Sequence, residues 1–232
     1  MVDAVLDLGG SILVPDGIDV QVLRGSAALL SRLAAHHRII VVVGGGSPAR
    51  RYIAAARALG VSETHLDELG IATTRLNARL LICALGPLAY PTPPLDSETA
   101  LAASSMAPLV VMGGTHPGHT TDAVAAMVAE RAGSVRLVIA TNVAGVYDSD
   151  PKTNPAARLF PRLSARQLLD IAKDTPHAAG GKGVVDPLAA HIIARAAIPT
   201  AVVDGRRLDN LEAALLGKPF EGTTILPDPT EA

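Results

Sequence analysis

Residues 112–122, Met-Gly-Gly-Thr-His-Pro-Gly-His-Thr-Thr-Asp, gather the groups that hold an anion. Gly113, Gly114 and Gly118 bare their main chain, while Thr115, Thr120 and Thr121 add neutral hydroxyl donors. Glycine lets the backbone come close to a ligand, and free N–H groups at a helix start favour negative charge. Asp122 falls where a first-turn carboxylate suits the helix dipole. A threonine-capped corner between strand and helix would explain this stretch taken alone. Two further clusters shift the balance toward phosphate. Gly9, Gly10 and Ser11 follow the run Val5-Leu6-Asp7-Leu8, and Gly44, Gly45, Gly46 and Ser47 follow the apolar run 39–43. Arg50 and Arg51 lie in the first turn after the second cluster, where cations are unfavourable unless an anion pairs with them. A fourth loop, from Thr141 and Asn142 through Tyr147, Asp148 and Asp150 to Lys152, mixes an aromatic ring, carboxylates and a cation. Those are materials for a base, ribose hydroxyls and phosphate.

The elements that must position these loops alternate. Period-two and continuous apolar runs predict strands near 3–8, 38–43, 109–112, 136–141, 200–204 and 223–226. Helical spacing predicts helices near 20–36, 48–59, 65–85, 120–132, 164–173, 186–197 and 208–216. Residues 86–94, with four prolines, read as a loop, as do 147–161 and 175–183. Strand–helix alternation implies a mainly parallel sheet covered on both faces, with ligands beyond the carboxyl ends of the strands. All four loops fall there.

Composition narrows the classes. At 232 residues the chain can bury a large core, and with 49% apolar but 2% aromatic residues that core must be Ala, Val, Leu and Ile. A net charge of −2 without a basic tract gives no footprint for nucleic acid or a membrane surface. No apolar run approaches a membrane span and the N-terminus lacks a signal-peptide pattern. The single cysteine, Cys83, forms no internal disulfide and is expected to be a buried small hydrophobe in a reducing cytoplasm. Met106, Met112 and Met127 read as core filler, and His36, His37 and His65 as solvated positions near helix ends.

In their order along the chain, GGS, GGG-S-P-A-R-R, GGTHPGHTTDAVAA, ATNVAGVYDSDPKTNP and VVDPLAAHIIARAAI resemble the amino-acid kinase superfamily, within it the archaeal type of uridylate kinase. The similarity runs from Val5 to Ile225. It implies a three-layer α/β/α sandwich with a mainly parallel central sheet, the carbamate kinase-like fold, as one domain over 1–232. An acceptor-binding half, about 1–133, would face an ATP-binding half, about 134–232, across one cleft. The implied reaction is transfer of the ATP γ-phosphate to UMP, giving UDP and ADP, with Mg²⁺ carried mainly by the nucleotide phosphates.

Carried over by motif, Gly9, Gly10 and Ser11 would border the transferred phosphate. Gly45 would approach UMP, while Gly46 and Arg50 would contact phosphates. Asp67 would hold the UMP ribose, and Thr115, His116, Pro117, Gly118, His119, Thr120 and Thr121 would line the UMP pocket. Thr141, Asn142, Tyr147 and Asp150 would contact ATP, with Lys152 nearby and Asp186 organising the phosphate side. Arg50, Lys152 and Asp186 are the implied catalytic set. The chain has only four lysines against sixteen arginines, and Lys152 and Lys182 are the two that fall in candidate site loops.

A phosphate oxygen of UMP is already a nucleophile, so alignment and charge neutralisation are the work required, without a general base. One departure stands out: the lysine that many relatives carry two residues before the first glycine pair is Asp7 here, read as a structural or metal-side carboxylate. His116 and His119 lack an acidic or thiol companion between them, which favours ligand contact or packing over a metal site. Isopentenyl phosphate or carbamate phosphorylation stays open as an alternative, as does a molybdate-storage-like binding protein. The resemblance also implies a homohexamer, a trimer of dimers.

Overall fold

A computed structural model describes residues 2–173 and 184–228. Its strands are β1 (Ala4–Leu8), β2 (Ile39–Val43), β3 (Leu109–Met112), β4 (Arg136–Thr141), β5 (Arg162–Ser164), β6 (Thr200–Asp204) and β7 (Thr223–Leu226). They form one sheet in the order β3-β2-β1-β4-β6-β7-β5. Every pairing is parallel except that of β6 with β7.

The helices among the described residues are α1 (Gly10–Leu13), α2 (Val20–Leu33), α3 (Gly46–Ala58), α4 (Glu63–Leu85), α5 (Ser97–Ser104), α6 (Thr121–Ala132), α7 (Ala165–Lys173), α8 (Pro187–Arg195) and α9 (Leu208–Leu216). Alternation along the strands builds two cores. Val5, Ile40, Val42, Leu137 and Ile139 pack on the face covered by α5, α6, α7 and α8. Leu6, Leu8, Val41, Val43, Val138 and Ala140 pack on the opposite face against α2, α4 and α9. The result is the expected three-layer sandwich. With no tryptophan, its density comes from interlocked β-branched and alanine side chains.

The differences from the sequence reading have local causes. α1 spans four residues, too few to show a period. The fold adds α5, an Ala- and Ser-rich helix of weak amphipathicity started by a capping box between Asp96 and Thr99. It also adds β5, three residues long with one buried side chain. α2 ends at Leu33, before the expected 36, and α3 starts at Gly46 rather than Pro48. Cys83 lies on the exposed side of α4, not in the core. Met106 is 76% exposed, whereas Met112 is fully buried. His36 and His65 are exposed as expected, and His65 Nδ1 lies 2.8 Å from Ser62 Oγ. The loop expected over 175–183, with Lys182, lies outside the described residues.

Candidate active site

The glycine clusters meet at the carboxyl end of the sheet because each ends a parallel strand. Gly9 N–H donates to Ala140 O at 3.0 Å and Gly44 N–H donates to Leu8 O at 3.0 Å, so the loops after β1, β2 and β4 share one anchorage. The first two interlock: a Cβ on Gly10 would stand 2.6 Å from Gly46 Cα and 2.8 Å from Gly44 C. Gly46 has φ +62°, which a side chain would strain, and it lets α3 start directly off the loop. The third loop, 113–120, lies on α4, leaving no room for a Cβ at Gly113.

Between them opens a cleft of about 520 Å³. Gly9, Gly10 and Ser11 line one wall, with Gly45, Gly46 and Arg50 beside them. Asp67, Gly118, His119, Thr120 and Thr121 line the other wall, and Thr141 and Asp186 close the base. Arg50 is the only arginine or lysine among the described lining residues, is exposed, and enters none of the described ion pairs. Asp67 Oδ2 accepts from Gly118 N–H at 2.7 Å, which pins the Thr-His-Pro-Gly turn across the cleft.

Beneath these walls the charge is negative. Asp7 shares a sheet face with Val5 and so points toward the starts of α6 and α8. It is 1% exposed, and its Oδ1 has no hydrogen-bond partner. Burial, then the charge of neighbouring Asp122, raises the Asp7 carboxyl well above the ordinary range. Burial and the charge of Asp186 raise Asp122 to about 6. Asp186 itself is committed: Oδ1 caps α8 by accepting from Leu188 N–H at 2.8 Å and Ala189 N–H at 3.1 Å, and Oδ2 accepts from the Thr120 hydroxyl. Thr120 Oγ1 in turn caps α6 through Ala123 N–H at 3.1 Å. One threonine–aspartate contact thus locks two helix starts together.

Other expected site residues lie outside this cleft. Thr115 and Pro117 turn over its rim, and His116 is exposed, its ring 6.2 Å from that of His119. Asn142, Tyr147, Asp150 and Lys152 form a separately stitched loop. Lys152 Nζ donates to Asn142 Oδ1 at 2.9 Å, Lys152 N–H to Asp150 Oδ1 at 2.9 Å, and Tyr147 bridges to Leu159. That loop is tied to β7 by Thr223, whose Oγ1 accepts from Val146 N–H at 2.9 Å and donates to Phe160 O at 2.6 Å. The sequence reading passed over Thr223 and also Thr74 and Asn77, which are buried polar residues on an apolar helix face. That mismatch between type and position was the available signal. In sequence, Asp122 shows only as a charge suited to the helix dipole.

Residues 4–204 match the Amino acid kinase family. The chain is 46% identical over 223 residues to a uridylate kinase of Thermococcus onnurineus strain NA1, covering 96% of this chain and 99% of that protein. It superposes on the crystal structure of uridylate kinase from Archaeoglobus fulgidus with a TM-score of 0.87 and 44% identity, over 97% of this chain and 100% of that one. The UMP kinase of Bacillus anthracis shares the fold, with a TM-score of 0.81 at 20% identity over 98% of this chain and 96% of that one. The chain therefore belongs to the amino acid kinase family and groups there with the archaeal uridylate kinases.

Proposed function

We propose that the protein phosphorylates UMP with ATP, releasing UDP and ADP, as a step of pyrimidine nucleotide biosynthesis. The observation that carries this reading is the convergence of three glycine loops on one cleft lined by both Arg50 and Asp67. An anionic group is taken by bare N–H groups and a guanidinium, and a hydroxyl-bearing group by the carboxylate and the threonines. An isopentenyl chain would call for continuous bulky apolar walls, whereas this cleft intersperses its three isoleucines, Ile53, Ile71 and Ile139, with glycines, threonines, aspartates and Arg50.

In this reading the acceptor phosphate lies against Gly45, Gly46 and Arg50, and the sugar and base lie between Asp67 and the 115–121 turn. Asp67 would exchange its contact with Gly118 for the ribose. Thr141, Asn142, Tyr147, Asp150 and Lys152 would take ATP, with its γ-phosphate directed at Gly9, Gly10 and Ser11. The attacking oxygen needs no deprotonation, so the residues hold two anions in line and offset developing charge. Arg50 and the loop N–H groups do so from the acceptor side, and Lys152 from the donor side. Asp186 acts by holding Thr120 and α8 in place.

Mg²⁺ fits the floor of the cleft. Asp7 Oδ1 is a buried carboxylate oxygen without a partner, Asp122 stands beside it, and Asp186 is used in capping. No group of three or more His, Cys, Asp or Glu among the described residues encloses a metal on its own. That suits an ion which keeps water and phosphate oxygens and takes one or two carboxylates from the protein. Bound with ATP, Mg²⁺ would supply the charge neutralisation that a lysine at position 7 provides in relatives.

The reading extends to a cytoplasmic homohexamer. No described helix is long and apolar enough to cross a membrane. Tyr52 on α3, Leu59 just after it and Leu76 on α4 are 61%, 83% and 67% exposed, which suits burial against further subunits. Sedimentation across a concentration series tests this, and a stable monomer removes it. An ADP-release assay with UMP, CMP, carbamate and isopentenyl phosphate tests the activity. UMP should give the highest kcat/KM, and the absence of UMP-dependent ADP release would end the assignment.

A further inference from the structure

We propose that Thr74, Arg75 and Asn77, within one turn of α4, are positioning residues that aim the backbone donors of the acceptor pocket. The inference deepens the reading above and rests on it for the identity of the acceptor. Asn77 is 5% exposed, and its Nδ2 donates to Gly44 O at 2.9 Å and Gly45 O at 3.2 Å. Arg75 grips the other loop, Nε donating to Gly114 O at 3.1 Å and Nη2 to Thr115 O at 3.2 Å. Thr74 lies between. Its Oγ1 accepts from Gly114 N–H at 2.7 Å and donates to Ile71 O at 2.6 Å. Its methyl lies 3.5 Å from where a Gly45 Cβ would stand. A Cβ on Gly113 would come within 2.5 Å of Thr74 Oγ1 and 2.7 Å of Arg75 N, so this loop rests directly on the helix.

Peptide geometry gives these contacts a consequence. In a trans peptide the C=O and the following N–H point in opposite directions. Holding the carbonyls of Gly44 and Gly45 toward α4 turns the N–H groups of Gly45 and Gly46 away from it, and both residues line the cleft. Holding the carbonyls of Gly114 and Thr115 likewise turns the N–H groups of Thr115 and His116 away from α4, at the rim of the cleft between its lining residues Gly114 and Gly118. None of those four N–H groups has a described backbone partner. Apolar side chains would pack this helix face equally well, but only hydrogen-bonding ones fix which way the loop peptides face. Arg75 and Asn77 do not line the cleft, so they act through the loops.

Two measurements on the purified full chain test this. Steady-state kinetics compare Thr74→Val, which keeps the shape but not the hydroxyl, with Thr74→Ser, which keeps the hydroxyl, alongside Asn77→Leu and Arg75→Lys. Removing one buried hydrogen bond of this kind should raise KM for UMP about ten-fold. KM for ATP should stay within about two-fold, and Thr74→Ser should remain close to wild type by the same measure. Hydrogen exchange of the substrate-free protein reads the loops independently. Amides of 113–116 should exchange about ten-fold faster in Thr74→Val than in Thr74→Ser, with α9 unchanged. Equal rises in both KM values, or unchanged KM and exchange in Thr74→Val, overturn the proposal. If Asn77→Leu does not fold, the Thr74 pair decides alone. A wild type inert toward UMP whose loops still respond in exchange would refute the acceptor assignment and leave the positioning role supported.

Discussion

Asparagine at position 7 should give a more stable free protein and a poorer enzyme. Asp7 is 1% exposed and Asp122 is its nearest charged neighbour, so the folded state resists full ionisation of the pair. Moving Asp122 from 3.8 to about 6 corresponds to roughly 3 kcal/mol at about 1.36 kcal/mol per unit. Water at the open side of the cleft lowers the realised cost to about 1–2 kcal/mol. Both carboxyls titrate higher folded than unfolded, so the native state binds more protons. The contribution of this pair to stability is therefore most favourable in acid and falls as pH rises past the ordinary carboxylate value and through about 6. Asp7→Asn removes one charge of the pair. Its advantage should reach about 1–3 kcal/mol at pH 8 and shrink toward pH 5, or about 2–4 °C of thermal midpoint per kcal/mol in a chain of this size. Thermal denaturation followed by circular dichroism at both pH values, with chelator present, reads the effect. Adding Mg²⁺ and ATP should then raise the wild-type midpoint more than that of the variant. A gain equal at pH 5 and 8, or no gain at pH 8, would show that the pair is not strained and that this account of the cleft floor is wrong.

Other substitutions divide the site. Gly10→Ala drives a methyl into the Gly44–Gly46 backbone and should cost about 1–3 kcal/mol along with most activity, while an unchanged thermal midpoint would contradict the interlock. Arg50→Ala should lower kcat/KM for UMP about 100-fold, the scale of a charge-assisted contact. Arg51→Ala, at the exposed position next to Arg50 on α3 but outside the cleft lining, should stay within about two-fold, and matched losses in the two variants would argue against Arg50 as the phosphate ligand. Lys152→Ala should raise KM for ATP several-fold and leave KM for UMP alone; the opposite pattern would move the donor loop to the acceptor side.

The residues show why some of this was legible in sequence and some was not. Short β-branched runs such as 39–43 and 109–112, each closed by a glycine cluster, read as strands ending at a corner at the carboxyl end of the sheet, whereas the apolar run 80–85 continues a helix. β5 and α1 are too short to carry a period, and α5 announces itself only through Asp96 and Thr99. Cys83 and Met106 differ from expectation because residue type gives average burial, not the helix face on which Cys83 falls or the turn after α5 that carries Met106. The Asp7–Asp122–Asp186 floor joins three distant segments, so the raised carboxyls of Asp7 and Asp122 are a tertiary fact. Asp7 did signal itself as an acid in an otherwise apolar run. Asp186 read as a phosphate-side organiser, and its capping of α8 became visible only with Thr120 beside it.

Because four of the strands that carry the chemistry run the same way, their starting ends form a second pole, at the opposite end of the sheet from the cleft. There the chain turns through His36, Met106 and Val135, and Ala197 adopts the left-handed backbone. Epitope tags, fluorophores and permuted termini belong at that pole: they would be carried a full strand length from the nucleotides, and their burden would register as melting temperature rather than turnover.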